Sequence, residues 1–181
     1  MKKFLLTLLT VICAAFSANA QNLDAENTLV LQLKDGDVYI QMYPQVAPKH
    51  VARIKELTRQ GFYDGLKFHR VIDGFMAQTG DPRGNGTGGS GKNLEAEFNS
   101  VHHGRGTVSM ARASDPDSAD SQFFICFKDA GFLDGQYTVW GQVVKGMEYV
   151  DNIKRGDARN NGTVINPDKI ISMKVLADIK K

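Results

Sequence analysis

The segment FHRVIDGFMAQTGD, from Phe68 to Asp81, holds the residues of this chain best placed to do chemistry. Strand alternation puts Phe68, Arg70 and Ile72 on one side of a short strand, with His69 and Val71 on the other. A turn at Asp73-Gly74 sends the chain back, and Phe75, Ala77 and Thr79 then alternate against Met76 and Gln78. A guanidinium fork, a flexible thioether and an amide can therefore gather on one surface. Taken alone, Arg70 is better read as a solvated or ion-paired surface arginine.

Other constellations point to chemistry less well. Ser109, His69 and Asp73 are the side-chain types of a hydrolase triad, but Ser109 has no G-x-S-x-G elbow and lies in a strand-like run. His102 and His103 are neighbours, which on an extended chain point to opposite faces and cannot share one metal. Asp115, Asp117 and Asp120 lack the ordered pattern of a calcium loop. Cys126, inside FFICF, reads as a small buried apolar residue. GNGTGG, Gly84 to Gly89, fits G-x-G-x-x-G, yet Asp81, Pro82 and Arg83 separate it from the preceding strand and no helix follows. Its glycines are expected to turn a mobile surface loop, with no nucleotide bound. Asn85-Gly86-Thr87 and Asn161-Gly162-Thr163 have the form of glycosylation sequons. No metal and no cofactor are expected.

The elements that must position Arg70 and Gln78 are mostly strands. Two β-rich runs, Thr28 to Leu33 and Val38 to Met42, flank Asp35-Gly36 as a hairpin. Val51, Ile54 and Leu57 recur three apart between Pro48 and Gly61, which predicts one amphipathic helix. Further strands are expected at Leu66 to Val71, Phe75 to Thr79, Thr107 to Ala111, Gln122 to Phe127, Val139 to Val144 and Ile170 to Leu176, and a second helix at Met147 to Lys154. Eight short strands and two helices predict a mainly β fold, a closed or nearly closed antiparallel barrel.

MKKFLLTLLTVICAAFSANA has a basic start, an apolar run from Phe4 to Phe16, and Ala18 and Ala20 around Asn19. It reads as a secretory signal cleaved after Ala20, its apolar run being too short to span a membrane. Residues 21–181 then form one domain with no interdomain linker, and no stable membrane insertion is expected after cleavage. Loss of Lys2 and Lys3 leaves 20 basic residues against 20 acidic ones. Charge alone therefore gives no reason to bind nucleic acid or anionic lipid. Cys13 leaves with the signal, so no internal disulfide can form.

FHRVIDGFMAQTGD, followed in order by GTVSMARA, SQFFICF and FLDGQYTVWGQVVKGMEYVDNI, closely resembles the cyclophilins, the cyclosporin-binding family of peptidyl-prolyl cis/trans isomerases. The likeness covers about Thr28 to Ala177, and the compact GDPRGNGTGGSG loop with the signal looks like the exported bacterial branch. The resemblance implies an eight-stranded antiparallel barrel closed by two helices, a monomer without cofactor, and proline-containing unfolded or partly folded polypeptides as partners. It implies Arg70 as the catalytic arginine, with Gln78 orienting it. Phe75, Met76, Ala111, Arg112, Ala113, Gln122, Phe124, Phe132, Leu133 and Tyr137 match the peptide groove. Arg112, Phe132 and Tyr137 stand where asparagine, tryptophan and histidine are usual in eukaryotic members. Phe132 lacks an indole N–H, so cyclosporin binding is expected to be weak. The exported location is read as periplasmic, with full secretion the alternative. A peptide-binding chaperone whose isomerase activity is incidental remains a second functional class.

Overall fold

The computed structural model describes residues 23–179; the expected signal segment lies outside them. The elements are β1 (Thr28–Leu33), β2 (Gly36–Met42), α1 (Pro48–Arg59), β3 (Arg70–Ile72), β4 (Met76–Thr79), β5 (Thr107–Met110), β6 (Phe123–Cys126), β7 (Val139–Lys145), α2 (Met147–Asp151) and β8 (Ser172–Val175). The strands form one antiparallel sheet in the order β3-β4-β6-β5-β7-β2-β1-β8.

Eight strands and two helices agree with the expectation, and closure does not. The sheet ends on β3 and β8, which share no ladder, so it is a curled half-barrel. The residues expected to lengthen these strands meet instead as irregular chain. Lys67 and Lys169 form an isolated bridge, Phe68 N donates to Asp168 O at 2.9 Å, and Ile170 N donates to Leu66 O at 2.8 Å. The seam is thus spanned by loop backbone, which satisfies its polar groups without a continuous ladder.

The helix α1 turns Val51, Ile54 and Leu57 inward, as their spacing requires. Its start has no side-chain cap of its own. The Glu97 carboxylate supplies one from a distant loop, accepting from Lys49 N at 3.0 Å and His50 N at 2.9 Å. That contact ties the long segment between β4 and β5 to the body of the fold.

Period-two alternation gives the sheet two apolar faces. Leu29, Leu31, Val38, Ile40, Ala77, Val108, Phe123, Ile125 and Trp140 enter the main core with α1. Met76, Phe124 and Cys126 come from the same strands and face the other way, packing with Ala130 and Leu133. The second cluster underlies the candidate site.

Candidate active site

Cross-strand register brings three of the expected site residues together. Arg70 on β3 pairs with Gln78 on β4, and Gln78 pairs with Phe124 on β6. Arg70, Gln78 and Phe124 therefore stand in a row across the sheet, on the face away from the main core.

Beside this row lies a pocket of about 260 Å³, lined by Arg70, Phe75, Met76, Gln78, Ala111, Arg112, Phe124, Phe132, Leu133 and Tyr137. Ten of the twelve expected site residues thus share one cavity. Ala113 and Gln122 line an adjoining compartment of about 360 Å³. Met76, Phe124 and Leu133 are buried in the floor of the 260 Å³ pocket. Phe124 meets Tyr137 edge-on, with ring centroids 5.9 Å apart, while Phe132 is 66% exposed and leans on Phe75 at 5.4 Å. The size and apolar floor suit one small ring.

The guanidinium of Arg70 is held at three of its nitrogens. Nη1 donates to Gln78 Oε1 at 3.1 Å, Nε donates to the Asn161 carbonyl at 3.1 Å, and Nη2 donates to Asn161 Oδ1 at 3.0 Å. Gln78 Nε2 donates to Gln122 Oε1 at 2.9 Å, and Gln122 Nε2 donates to the carbonyls of Gly86 at 3.1 Å and Gly88 at 2.8 Å. The loop carbonyls can only accept and the guanidinium can only donate, so the orientation of both amides between them is fixed. No carboxylate pairs with Arg70 among the described residues, and burial pulls its pKa down from the ordinary arginine value. An arginine stays charged under that pressure. Its remaining N–H groups are free for a substrate.

The glycine-rich loop is organised around Asp81. This buried carboxylate accepts from the backbone N–H of Arg83 at 2.7 Å, Asn85 at 3.0 Å and Gly86 at 2.6 Å. A Cβ at Gly88 would lie 2.0 Å from Asp81 Oδ1, so only glycine lets the chain pass there.

Residues 28–175 match the model of the family "Cyclophilin type peptidyl-prolyl cis-trans isomerase/CLD". The chain belongs to the cyclophilin-type peptidyl-prolyl cis-trans isomerases. It is 56% identical over 169 residues to a probable peptidyl-prolyl cis-trans isomerase of Brucella suis, covering 87% of this chain and 86% of the relative. It is 45% identical over 128 residues to peptidyl-prolyl cis-trans isomerase B of Bacillus subtilis, covering 69% and 89%. A cyclophilin crystal structure from Hirschia baltica superposes with TM-score 0.78 at 28% identity, covering 87% of this chain and 77% of that one. A Cryptosporidium parvum cyclophilin-type isomerase, solved in the presence of the dipeptide Ala-Pro, gives TM-score 0.75 at 29% identity, covering 82% and 98%.

Several expectations for this cyclophilin change on inspection. Phe68 joins the main core with Val71 rather than siding with Arg70 and Ile72, because β3 begins only at Arg70 and the alternation fails before it. Phe75 faces the pocket with Met76 rather than siding with Ala77, because it belongs to the turn before β4. The adjacent histidines do not diverge. Both reach Asp134, His102 Nδ1 at 2.6 Å and His103 Nδ1 at 2.8 Å, on loop chain rather than a strand. Ser109 meets His103 at 3.0 Å, not His69, and both are fully buried, so no substrate reaches this Ser-His-Asp set. Burial pushes the Cys126 thiol up to about 12, leaving it protonated and inert.

Asn161 was missed as a site residue. It stands 91 positions from Arg70 in the chain, and its sequence signal is only that Asn before Gly tolerates the left-handed conformation it adopts, φ 50°. The following Gly162 fixes the segment to β3, its carbonyl accepting from Val71 N at 2.8 Å. A Cβ there would lie 2.5 Å from Ile72 Cγ1.

The loop carrying Phe132 and Leu133 is clamped by His102, whose ring also contacts Asp129. Hydrogen bonds from its ring to the Asp134 and then the Asp129 carboxylate raise the His102 pKa above the ordinary 6.5. A raised pKa stabilises the fold fully below 6.5, and that contribution is lost as pH rises through the raised value. Urea midpoints measured from pH 6 upward should therefore fall more for the native chain than for His102→Gln. Parallel profiles would contradict the clamp.

Proposed function

We propose that this isomerase rotates Xaa-Pro bonds of exported polypeptides during their folding, with Arg70 as the catalytic donor. The observation carrying this reading is a carboxylate-free guanidinium fixed at the mouth of an apolar pocket sized for a proline ring.

The physical task is to lower a rotation barrier of about 18 to 20 kcal/mol that arises from amide resonance. Uncatalysed Xaa-Pro rotation is slow enough to limit folding. At the twisted midpoint the proline nitrogen loses conjugation, becomes pyramidal and gains a localised lone pair. A donor aimed at that lone pair binds the transition state more tightly than either planar isomer. Arg70 supplies the donor, and its partners hold it so that little reorganisation is needed during rotation. Phe75, Met76, Phe124, Leu133 and Tyr137 hold the ring in apolar surroundings, where the field of Arg70 is less screened. No bond is made or broken, so neither nucleophile nor cofactor enters the step.

Gln78 acts through Arg70 and is a positioning residue. Gln122, which matches the peptide groove, has its amide bonded to Gln78 and to the glycine loop. Its contribution to catalysis is therefore positional as well. Weak cyclosporin binding remains the reading for Phe132, whose exposed ring has no donor.

Arg70→Ala should fold normally and lose kcat/KM toward a proline peptide by about 10² to 10³-fold, the scale of removing one preorganised donor. In proline-limited refolding it should no longer accelerate the slow phase, while suppressing client aggregation as before. A variant that accelerates refolding like the native chain would shift the reading to a peptide-binding chaperone.

Export is supported by the basic, apolar and small-residue order of residues 1–20. We place the mature chain in the periplasm. N-terminal sequencing of the protein from a periplasmic fraction should begin at Gln21; an intact start recovered with the cytoplasm would contradict export.

A further inference from the structure

On the Arg70 side of the proline pocket lies a separate compartment of about 460 Å³, lined by His69, Arg70, Gln78, Gly84, Asn85, Gly86, Arg112, Asn161, Thr163 and Val164. Two arginines line it, and among the described residues no carboxylate does. We propose that this compartment is a subsite for an acidic side chain flanking the substrate proline. The inference rests on the isomerase reading above and adds a sequence preference to it.

Arg112 carries the argument furthest. Its Nε and Nη2 donate to the Gln136 carbonyl at 3.2 and 2.9 Å, and Nη1 donates to Ala113 O at 2.9 Å. Its guanidinium also lies over the Tyr137 ring, 4.6 Å from the centroid. Those contacts fix the charge in place without cancelling it, since carbonyls and a ring face carry no net charge. Arg112 and Arg70 form no ion pair among the described residues, whereas Arg53, Arg59, Arg105, Arg155 and Arg159 each do. Two arginines without an ion pair among the described residues thus meet in this compartment, while Arg83, also without one, does not line it.

The rest of the lining points the same way. His69 is almost fully buried there, and neither of its ring nitrogens has a hydrogen-bond partner among the described residues. Asn85 Nδ2 donates to nothing among the described residues, its Oδ1 being used by Thr87. The carboxylate beneath the loop, Asp81, is turned to backbone N–H groups and buried. The 360 Å³ compartment carries both signs, Arg112 and Asp120, and the Asp120 carboxylate accepts from Ser90 Oγ and from Gly91 N at 2.8 Å. Gln78 and Arg112 line all three cavities, so a peptide seated with proline in the 260 Å³ pocket passes the carboxylate-free compartment next to it. An acidic side chain flanking the proline should therefore be favoured there.

The test uses peptides that differ only in the residue on one side of proline, then on the other, with Glu, Gln or Lys at that place. At low salt kcat/KM should rank Glu above Gln above Lys on one side, with Glu over Gln by about two- to fivefold, the range of a partly exposed ion pair. Added salt should narrow the spread. Arg112→Gln should reduce the Glu-to-Gln ratio, and Arg112→Lys should restore part of it, which separates charge from a general loss of packing. Equal rates for the three peptides on both sides, or a ratio untouched by salt and by Arg112→Gln, would overturn the subsite. The salt series on the native chain keeps the test decisive even if an Arg112 variant fails to fold. A native chain that accelerates none of the peptides would instead refute the isomerase reading itself.

Discussion

One hydrogen-bonded chain of side chains governs the site. It starts at the carbonyls of Gly86 and Gly88, passes through the amides of Gln122 and Gln78, and ends on the guanidinium of Arg70, which Asn161 grips from the far side. An arginine side chain is long and rotamer-rich, so ordering an unrestrained guanidinium costs conformational entropy. Here the folded backbone has already ordered it. Each amide satisfies one neighbour as donor and the other as acceptor, and reversing either one would set N–H against N–H or oxygen against oxygen.

The fold serves that chain by giving one sheet two apolar faces. Phe123, Ile125 and Ala77 anchor β6 and β4 to the main core, while the alternate residues Phe124, Met76 and Gln78 build the site. The site therefore inherits the rigidity of a packed interior although it lies open to substrate. Three loops complete it, each tied down by a separate device. Asp81 gathers the backbone of the glycine loop, Asp134 holds both His102 and His103 beside the Phe132 loop, and Gly162 docks the Asn161 segment onto β3.

Much of this was legible in the sequence, and the exceptions have physical causes. The first strand and the first helix were readable because a β-rich run and three-apart apolar spacing are local signals, and they agree with β1 and α1. The pocket residues were readable because their four motifs resemble one family, and ten of them do share a cavity. Closure was not readable. Strand-like runs such as Leu66 to Val71 contain apolar residues that fit a strand equally well whether or not a partner is within reach, and across the seam to the chain before β8 only the Lys67–Lys169 bridge forms. The sides taken by Phe68 and Phe75 failed for a related reason, since alternation holds only inside a strand and both lie just before one. Asn161 and the Ser109-His103-Asp134 set depend on contacts between distant loops, which no local spacing encodes. GNGTGG matched a nucleotide motif, yet its role in the structure is to present two carbonyls to Gln122.

The central claim is that Gln122 promotes catalysis by fixing Arg70 rather than by acting on the peptide independently. A double-mutant cycle on kcat/KM with Gln122→Met, Arg70→Ala and the pair measures this directly, because residues acting through one group are not additive. The account predicts that Gln122→Met alone is slow and that adding it to Arg70→Ala costs nothing further. Losses that multiply in the double variant would show that Gln122 works on the substrate by itself, and would contradict the account.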